Sequence, residues 1–240
     1  MLRNAISKWY KKWYDVELNA DSEILPLIGS KEGLMHICMT YINDGDAVLI
    51  PNPGYPTYRS AAKIAGAHLI EYVLKKENNW FPDFAEIEKN DLTKVKLMFV
   101  NYPHMPTGQL PTKYFFNQLI SFAKKHEILL CHDNPYSFIL NKNPMSLMVV
   151  EGAKDVAIEL NSLSKSHNMA GWRVGILCGA KARIEEVLRF KSNMDSGMFL
   201  PLQLAAAKAL DLGQDWHDAL NDVYEKRREK VFELLELLTC

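Results

Sequence analysis

Lys165 is the residue around which the chemistry of this chain can be built. It lies in Ser162-Leu163-Ser164-Lys165-Ser166-His167-Asn168-Met169-Ala170-Gly171-Trp172-Arg173-Val174-Gly175, directly after the apolar run Val156-Ala157-Ile158-Glu159-Leu160. That run reads as a buried strand, and open α/β sheets bind ligands outside the carboxyl ends of their strands. A lysine amine forms imines with carbonyl compounds. Hydroxyls and a planar guanidinium suit a phosphate, and Ser162, Ser164 and Arg173 supply both. Taken alone, Lys165 reads more readily as a solvated surface charge.

Other residues supply complementary chemistry. Asp133 follows the apolar run Ile128 to His132, in His132-Asp133-Asn134-Pro135-Tyr136. A carboxylate there can hold a ring nitrogen protonated, or it can be a turn residue or helix cap. Tyr136 offers a phenolic donor. Gly29-Ser30-Lys31 opens a helix after the strand Ile24 to Ile28, and helix starts bind phosphate through backbone N–H groups. Ser30 also suits an N-cap. Tyr55 sits in Pro51-Asn52-Pro53-Gly54-Tyr55-Pro56, a stiff loop that can hold an aromatic ring at a strand end or pack it inward.

In this order, Gly-Ser-Lys, Tyr55, Asp133 with Tyr136, Ser-x-Ser-Lys and Arg173 resemble the class I/II aminotransferases of pyridoxal phosphate (PLP) fold type I. Among these the group of LL-diaminopimelate, alanine and aromatic aminotransferases is nearest. The resemblance runs from about Leu2 to the end of the chain. It implies PLP held as a Schiff base on Lys165, with Asp133 at the pyridine nitrogen and Tyr136 at the phenolic oxygen. Tyr55 would stack on the ring, and Ser30, Lys31, Ser162, Ser164 and Arg173 would hold the phosphate. The implied reaction moves an amino group between an amino acid and a 2-oxo acid, with Lys165 as catalytic base. A C–S β-lyase shares these motifs, and a non-catalytic dimerising scaffold is the other alternative. One departure stands out. The turn Asn101 to Gly108 carries Met105 where the family has an asparagine that donates to the phenolic oxygen. A thioether cannot donate. Either the cofactor's electronics differ or Asn101 substitutes as a donor from nearby, and His104 reads as a turn residue.

The elements that must position these residues follow from periodicity. Residues 2–14 read as a helix with Ile6, Trp9, Tyr10 and Trp13 inward. Strands are expected at Ile24–Ile28, Ala47–Ile50, His68–Leu74, Lys96–Val100, Ile128–His132, Val156–Leu160 and Ile176–Cys178. Helices are expected from Ser30 with the stripe Leu34, Ile37, Cys38, Tyr41 and Ile42, from the Tyr55 loop to Gly66, and over 112–126, 181–193, 201–212 and 215–239. A short helix falls within the polar stretch 77–93. Alternating strands and helices imply a three-layer α/β/α fold with a mostly parallel seven-stranded sheet. The resemblance makes this the large PLP-binding domain and sets the last strand antiparallel.

Composition narrows the setting. Nearly half of the 240 residues are apolar, enough for a sizeable core, and the formal net charge of −1 gives no footprint for nucleic acid or anionic membranes. No apolar run reaches the length of about 18 residues that a span needs. Cys38, Cys131, Cys178 and Cys240 form no CxxC pair, and Cys131 and Cys178 fall in apolar runs as reduced core residues. The expectation is a cytoplasmic homodimer acting on small substrates. Relatives implied by the resemblance are longer at both ends. Their N-terminal arm, the C-terminal arginine that grips the substrate carboxylate and the tyrosine lent to the partner's phosphate have no counterpart here. Residues 1–240 are therefore expected to be an incomplete large domain without the C-terminal small domain, with weak cofactor binding and little transamination on its own.

Overall fold

A computed structural model describes residues 1–238, so Cys240 and the last residue of the expected 215–239 helix lie outside the described residues. Seven strands form one sheet in the order β1-β7-β6-β5-β4-β2-β3: β1 (Ile24–Ile28), β2 (Ala47–Asn52), β3 (His68–Val73), β4 (Val95–Asn101), β5 (Leu129–Asp133), β6 (Ala157–Ser162) and β7 (Val174–Gly179). Strands β3, β2, β4, β5 and β6 run parallel, and β7 is antiparallel to both β6 and β1. The central strands are buried on both faces, which is why they read as unbroken apolar runs rather than as alternating ones.

Helices cover both faces. On one side, α2 (Ser30–Tyr41), α3 (Pro56–Ile64) and α8 (Lys181–Lys191) enclose a core of Leu27, Leu34, Ile37, Tyr58, Phe99 and Cys131. On the other, α1 (Leu2–Tyr14), α5 (Lys113–His126) and α9 (Leu200–Leu210) enclose Trp9, Tyr10, Phe116, Leu130 and Val174. Three one-turn helices complete the middle of the chain: α4 (Phe84–Ile87), α6 (Ala153–Val156) and α7 (Leu163–Ser166). The last helix, α10 (Gln214–Leu237), buries His217 and leaves Val231, Phe232 and Leu235 exposed.

Several expectations shift locally. Val156 closes α6, and the strand runs from Ala157 to Ser162, two residues further than expected. Trp13 is only half-buried, whereas Tyr14 is buried: its hydroxyl accepts from Asn161 Nδ2 at 3.1 Å. Asn161 Oδ1 in turn accepts from the Ser162 amide at 2.8 Å. Thus α1 fixes the end of the strand that feeds Lys165. Cys38, Cys131 and Cys178 are free and buried. No helix among the described residues is long and apolar enough to cross a membrane.

Candidate active site

The carboxyl ends of β4, β5 and β6 and the amino end of α2 converge on one pocket of about 500 Å³. Its lining contains Ser30, Lys31, Tyr55, Asp133, Tyr136, Ser162, Ser164, Lys165 and Arg173, so every site residue expected from the sequence meets here across more than 140 positions of chain. Met105 and Asn101 line it too.

Lys165 is the third residue of α7, a single turn that starts as β6 ends. Ser162 caps that turn: its Oγ accepts from the Ser164 amide at 3.1 Å and lies 3.0 Å from Ser164 Oγ. At the other end Trp216 Nε1, from α10, donates to the Ser166 carbonyl at 3.0 Å. The lysine is exposed to the pocket, its Nζ 5.9 Å from the centre of the Tyr136 ring.

Asp133 faces it from the end of β5, neither in a turn nor at a helix cap. The residue is 5% exposed. Oδ2 accepts from the Tyr58 hydroxyl at 2.8 Å, and Tyr58 is stacked on Phe99 at 4.9 Å. Oδ1 is buried and has no hydrogen-bond partner among the described residues. Burial pushes the Asp133 carboxyl up to about 6, opposed by the Tyr58 hydrogen bond and the charge of His132. Tyr136 is also held above its ordinary value, by burial first and then by Asp133.

The anion cradle is built around two glycines. Gly29 precedes α2 with φ +79°, and a β-carbon there would overlap the Arg173 guanidinium. A β-carbon on Gly175 would collide with the Ser30 amide. The chain is thus stripped of side chains where β7 passes the start of α2, and Arg173 lies across the gap. Arg173 itself has φ +54° and donates from Nη1 to the Ala170 carbonyl at 2.8 Å. The N-cap is Gly29, not Ser30, and no described side chain caps the helix. The Ser30 hydroxyl is therefore left for a ligand, and the helix start favours an anion. Lys31 lies 5.9 Å from the Tyr55 ring, which is half-buried and edge-on to Tyr58.

Asn101 is largely committed to backbone. Its Nδ2 donates to the Asp133 carbonyl at 2.7 Å and its Oδ1 accepts from the Met105 amide at 2.8 Å. His104 is buried in the turn, its Nδ1 2.8 Å from Thr107 Oγ1, in keeping with a turn residue. Tyr58 is the residue that sequence reasoning missed; the Tyr-Pro-Thr-Tyr spacing at the start of α3 was its only local signal.

The residues fit pyridoxal phosphate. An orphaned buried carboxylate oxygen suits a protonated ring nitrogen, the stripped glycine cradle with Arg173 suits a phosphate, and Lys165 stands across the pocket. Fold and site together define a class: three-layer α/β/α folds with a lysine just past a strand end, opposite a buried carboxylate. The chain belongs to the class I and II aminotransferase family, whose profile matches residues 1–239. It is 44% identical over 237 residues to an LL-diaminopimelate aminotransferase of Dehalococcoides mccartyi, covering 98% of this chain and 61% of the relative. An LL-diaminopimelate aminotransferase of Aquifex aeolicus is 42% identical over 236 residues, with the same coverage. Apo-BacF from Bacillus subtilis superimposes with a TM-score of 0.95 at 39% identity, over 98% of this chain and 60% of that one. The chain spans about three-fifths of the length of the curated relatives it matches.

Proposed function

We propose that this chain carries the cofactor-binding domain of a pyridoxal phosphate-dependent aminotransferase, which moves an amino group between an amino acid and a 2-oxo acid. The observation that carries this reading is the unpartnered Asp133 Oδ1 facing the same pocket as Lys165 and the Gly29–Arg173 cradle. Bound pyridoxal phosphate supplies a carbonyl that captures an amino group and a ring that takes up electrons.

The protein's own residues do the rest. Asp133 Oδ1 holds a proton at the ring nitrogen. Arg173, Ser30 and the uncapped start of α2 bind the phosphate, with Lys31, Ser162 and Ser164 adding donors. Tyr55 covers the ring and Tyr136 donates to the phenolic oxygen. Met105 gives no donor there, so Tyr136 carries that contact. Lys165, once its amine is free, takes the proton from the substrate α-carbon and returns it one position along, acting as general base and then acid.

LL-diaminopimelate is the first amino donor to test, because curated relatives at 40–44% identity carry that name. A homodimer belongs to the same reading, supported by the exposed Phe199 and Leu200 beside the Asp195-Ser196-Gly197 loop. A cytoplasmic setting is part of it as well.

The test is to add PLP to the purified chain, reduce with borohydride and map the modified peptide. A pyridoxyl group on Lys165 is expected. Label on surface lysines, or none, overturns the reading. With substrate, the products that identify an aminotransferase are a 2-oxo acid and a new amino acid, of which residues 1–240 on their own are expected to form little; pyruvate and ammonia would mean a β-lyase instead.

A further inference from the structure

Beneath the pocket floor lies a second set of polar residues that the proposed mechanism does not use. His132 and Glu159 are both 0% exposed. They face each other across β5 and β6, with His132 Nδ1 2.7 Å from Glu159 Oε2. On its other side, His132 Nε2 lies 2.9 Å from the Tyr102 carbonyl oxygen. A carbonyl only accepts, so Nε2 carries a hydrogen. Glu159 accepts from three further donors: the Tyr10 hydroxyl at 3.0 Å, the Ser146 hydroxyl at 2.9 Å and the Leu147 amide at 2.9 Å. The Leu147 amide points at Oε2, the same oxygen that faces His132. Donors gathered on a carboxylate favour its ionised form. Opposite an ionised carboxylate at 2.7 Å, Nδ1 is placed to donate as well, the geometry of an imidazolium. A charge buried this deeply persists only when paired and hydrogen-bonded.

The placement of this pair links it to the site. His132 precedes Asp133 on β5, and Tyr102 follows Asn101 at the end of β4. The side chains of His132 and Asp133 leave the sheet on opposite faces: His132 meets Phe116 of α5, and Asp133 meets Tyr58 of α3. Two cross-strand bonds, His132 to Tyr102 O and Asn101 to Asp133 O, tie the ends of β4 and β5 side by side. The other titratable groups around His132 and Glu159 are Tyr10 and Tyr14 from α1 and Cys178 from β7, all pushed up by burial and hence neutral. Beyond Cys178 the nearest charges are Lys154 and Glu23, paired with each other at 2.9 Å.

We propose that His132, locked as an imidazolium between Glu159 and the Tyr102 carbonyl, is a positioning residue of the site. It fixes the β4–β5 edge that presents Asp133 and sets a positive charge behind that carboxylate. The inference deepens the proposed function and rests on that reading for what Asp133 is used for.

The test is nuclear magnetic resonance on the isotopically labelled full chain without cofactor. At neutral pH both His132 ring nitrogens are expected to carry hydrogens, as their two acceptors require. A neutral tautomer overturns the proposal. The Asp133 carboxyl is then titrated in the wild type and in His132→Gln, which keeps a donor amide but no charge. The Asp133 midpoint is expected to rise by about half a pH unit or more. A midpoint that stays in place overturns the link to Asp133, and a merely structural histidine would leave it in place. Glu159→Gln is the second variant should His132→Gln fail to fold: without its counter-ion the buried ring gives up its proton, and the Asp133 midpoint is expected to move in the same direction. If neither folds, the ring nitrogens of the wild type decide. None of these readings needs pyridoxal phosphate, so an unlabelled Lys165 would overturn the proposed function without touching this result.

Discussion

Tyr58 and Asp133, 75 residues apart in sequence, meet at 2.8 Å, and the meeting divides the carboxylate into two unlike oxygens. Oδ2 is occupied by the tyrosine. Oδ1 is buried and without a partner among the described residues, on a side chain that lines the pocket. Such an arrangement is costly in the empty protein and becomes favourable only when a proton donor arrives.

That cost has a sign in pH. The Asp133 carboxyl is raised from its ordinary 3.8 to about 6. The folded state therefore binds the proton more tightly than the unfolded one. The stability tied to this proton is fully present below pH 3.8 and is lost as pH rises through about 6. Asp133→Asn keeps an acceptor for Tyr58 and removes the charge. Without cofactor, the variant is expected to gain up to about 3 kcal/mol over the wild type at neutral pH and little at about pH 4. Urea unfolding at both pH values measures this, and an equal difference at both would contradict it. The same variant is expected to lose pyridoxal phosphate affinity.

The parts of this arrangement that the sequence made visible share a physical cause. Strands such as β4 and β5 are buried on both faces and so leave unbroken apolar runs, and Lys165 and Asp133 stand just beyond such runs. Tyr58 was illegible because its role depends on a partner delivered by the sheet order, not by neighbours in the chain. The one-turn helices α6 and α7 were missed because four residues show no period. The Glu159–His132 pair hid inside strand runs, where its charges interrupt the pattern and its register partner lies 27 positions away. The Gly29 cradle was half legible: the glycine announced a helix start and the family resemblance brought in Arg173, but the guanidinium's place directly over Gly29 came only with β7 beside β1.

Gly29→Ala tests the cradle. The added methyl meets the Arg173 guanidinium, and the φ of +79° is strained for alanine. Arg173 must swing away, because its guanidinium yields more readily than the backbone. The expected outcome is a weakening of pyridoxal phosphate or inorganic phosphate binding by about tenfold or more, the size of a lost charge-assisted contact. Binding titration followed by fluorescence measures it. Unchanged affinity in a folded variant would remove Arg173 from the anion site.

Lys191 ties α8 to the start of α2. Its ammonium is 2.8 Å from Glu32 Oε1 and 2.5 Å from Asp195 Oδ2, and its side chain is buried. Glu32 also accepts from the Ile28 amide at 2.7 Å, so it braces the turn that leads to Gly29 and Ser30. Burial alone would raise the Glu32 carboxyl, but hydrogen bonds from His36, Lys191 and Ile28 hold it down to about 2. This stabilisation is present above the ordinary value of 4.5 and is lost as pH falls towards 2. Lys191→Met leaves two carboxylates facing each other with their cation gone. A loss of about 3 kcal/mol at neutral pH is expected, shrinking as the solution is acidified. Denaturation midpoints across that range would refute the account if the loss stayed constant.

His217 responds to acid in the opposite sense from Asp133. It stacks on Phe138 with ring centres 4.3 Å apart and lies edge-on to Trp13 at 5.1 Å and to His167 at 5.6 Å. Neither ring nitrogen has a hydrogen-bond partner among the described residues. Burial, then the charge of Lys12, lowers His217 from 6.5 to about 4, and burial with His217 does the same to His167. The folded state thus refuses protons that the unfolded chain accepts, and stability falls as pH drops from 6.5 through about 4. His217→Phe keeps the stack and abolishes the titration. The variant is expected to match the wild type near neutrality and to exceed it increasingly below about pH 6. Melting temperatures that differ by the same amount at both ends of that range would show that packing, not protonation, sets the effect. The cluster lies under α7: His167 is two residues from Lys165, and Trp216, the neighbour of His217, holds the Ser166 carbonyl. Protonating His217 therefore disturbs the packing beneath the lysine, and the variant is expected to keep borohydride labelling of Lys165 at pH values where the wild type has lost it.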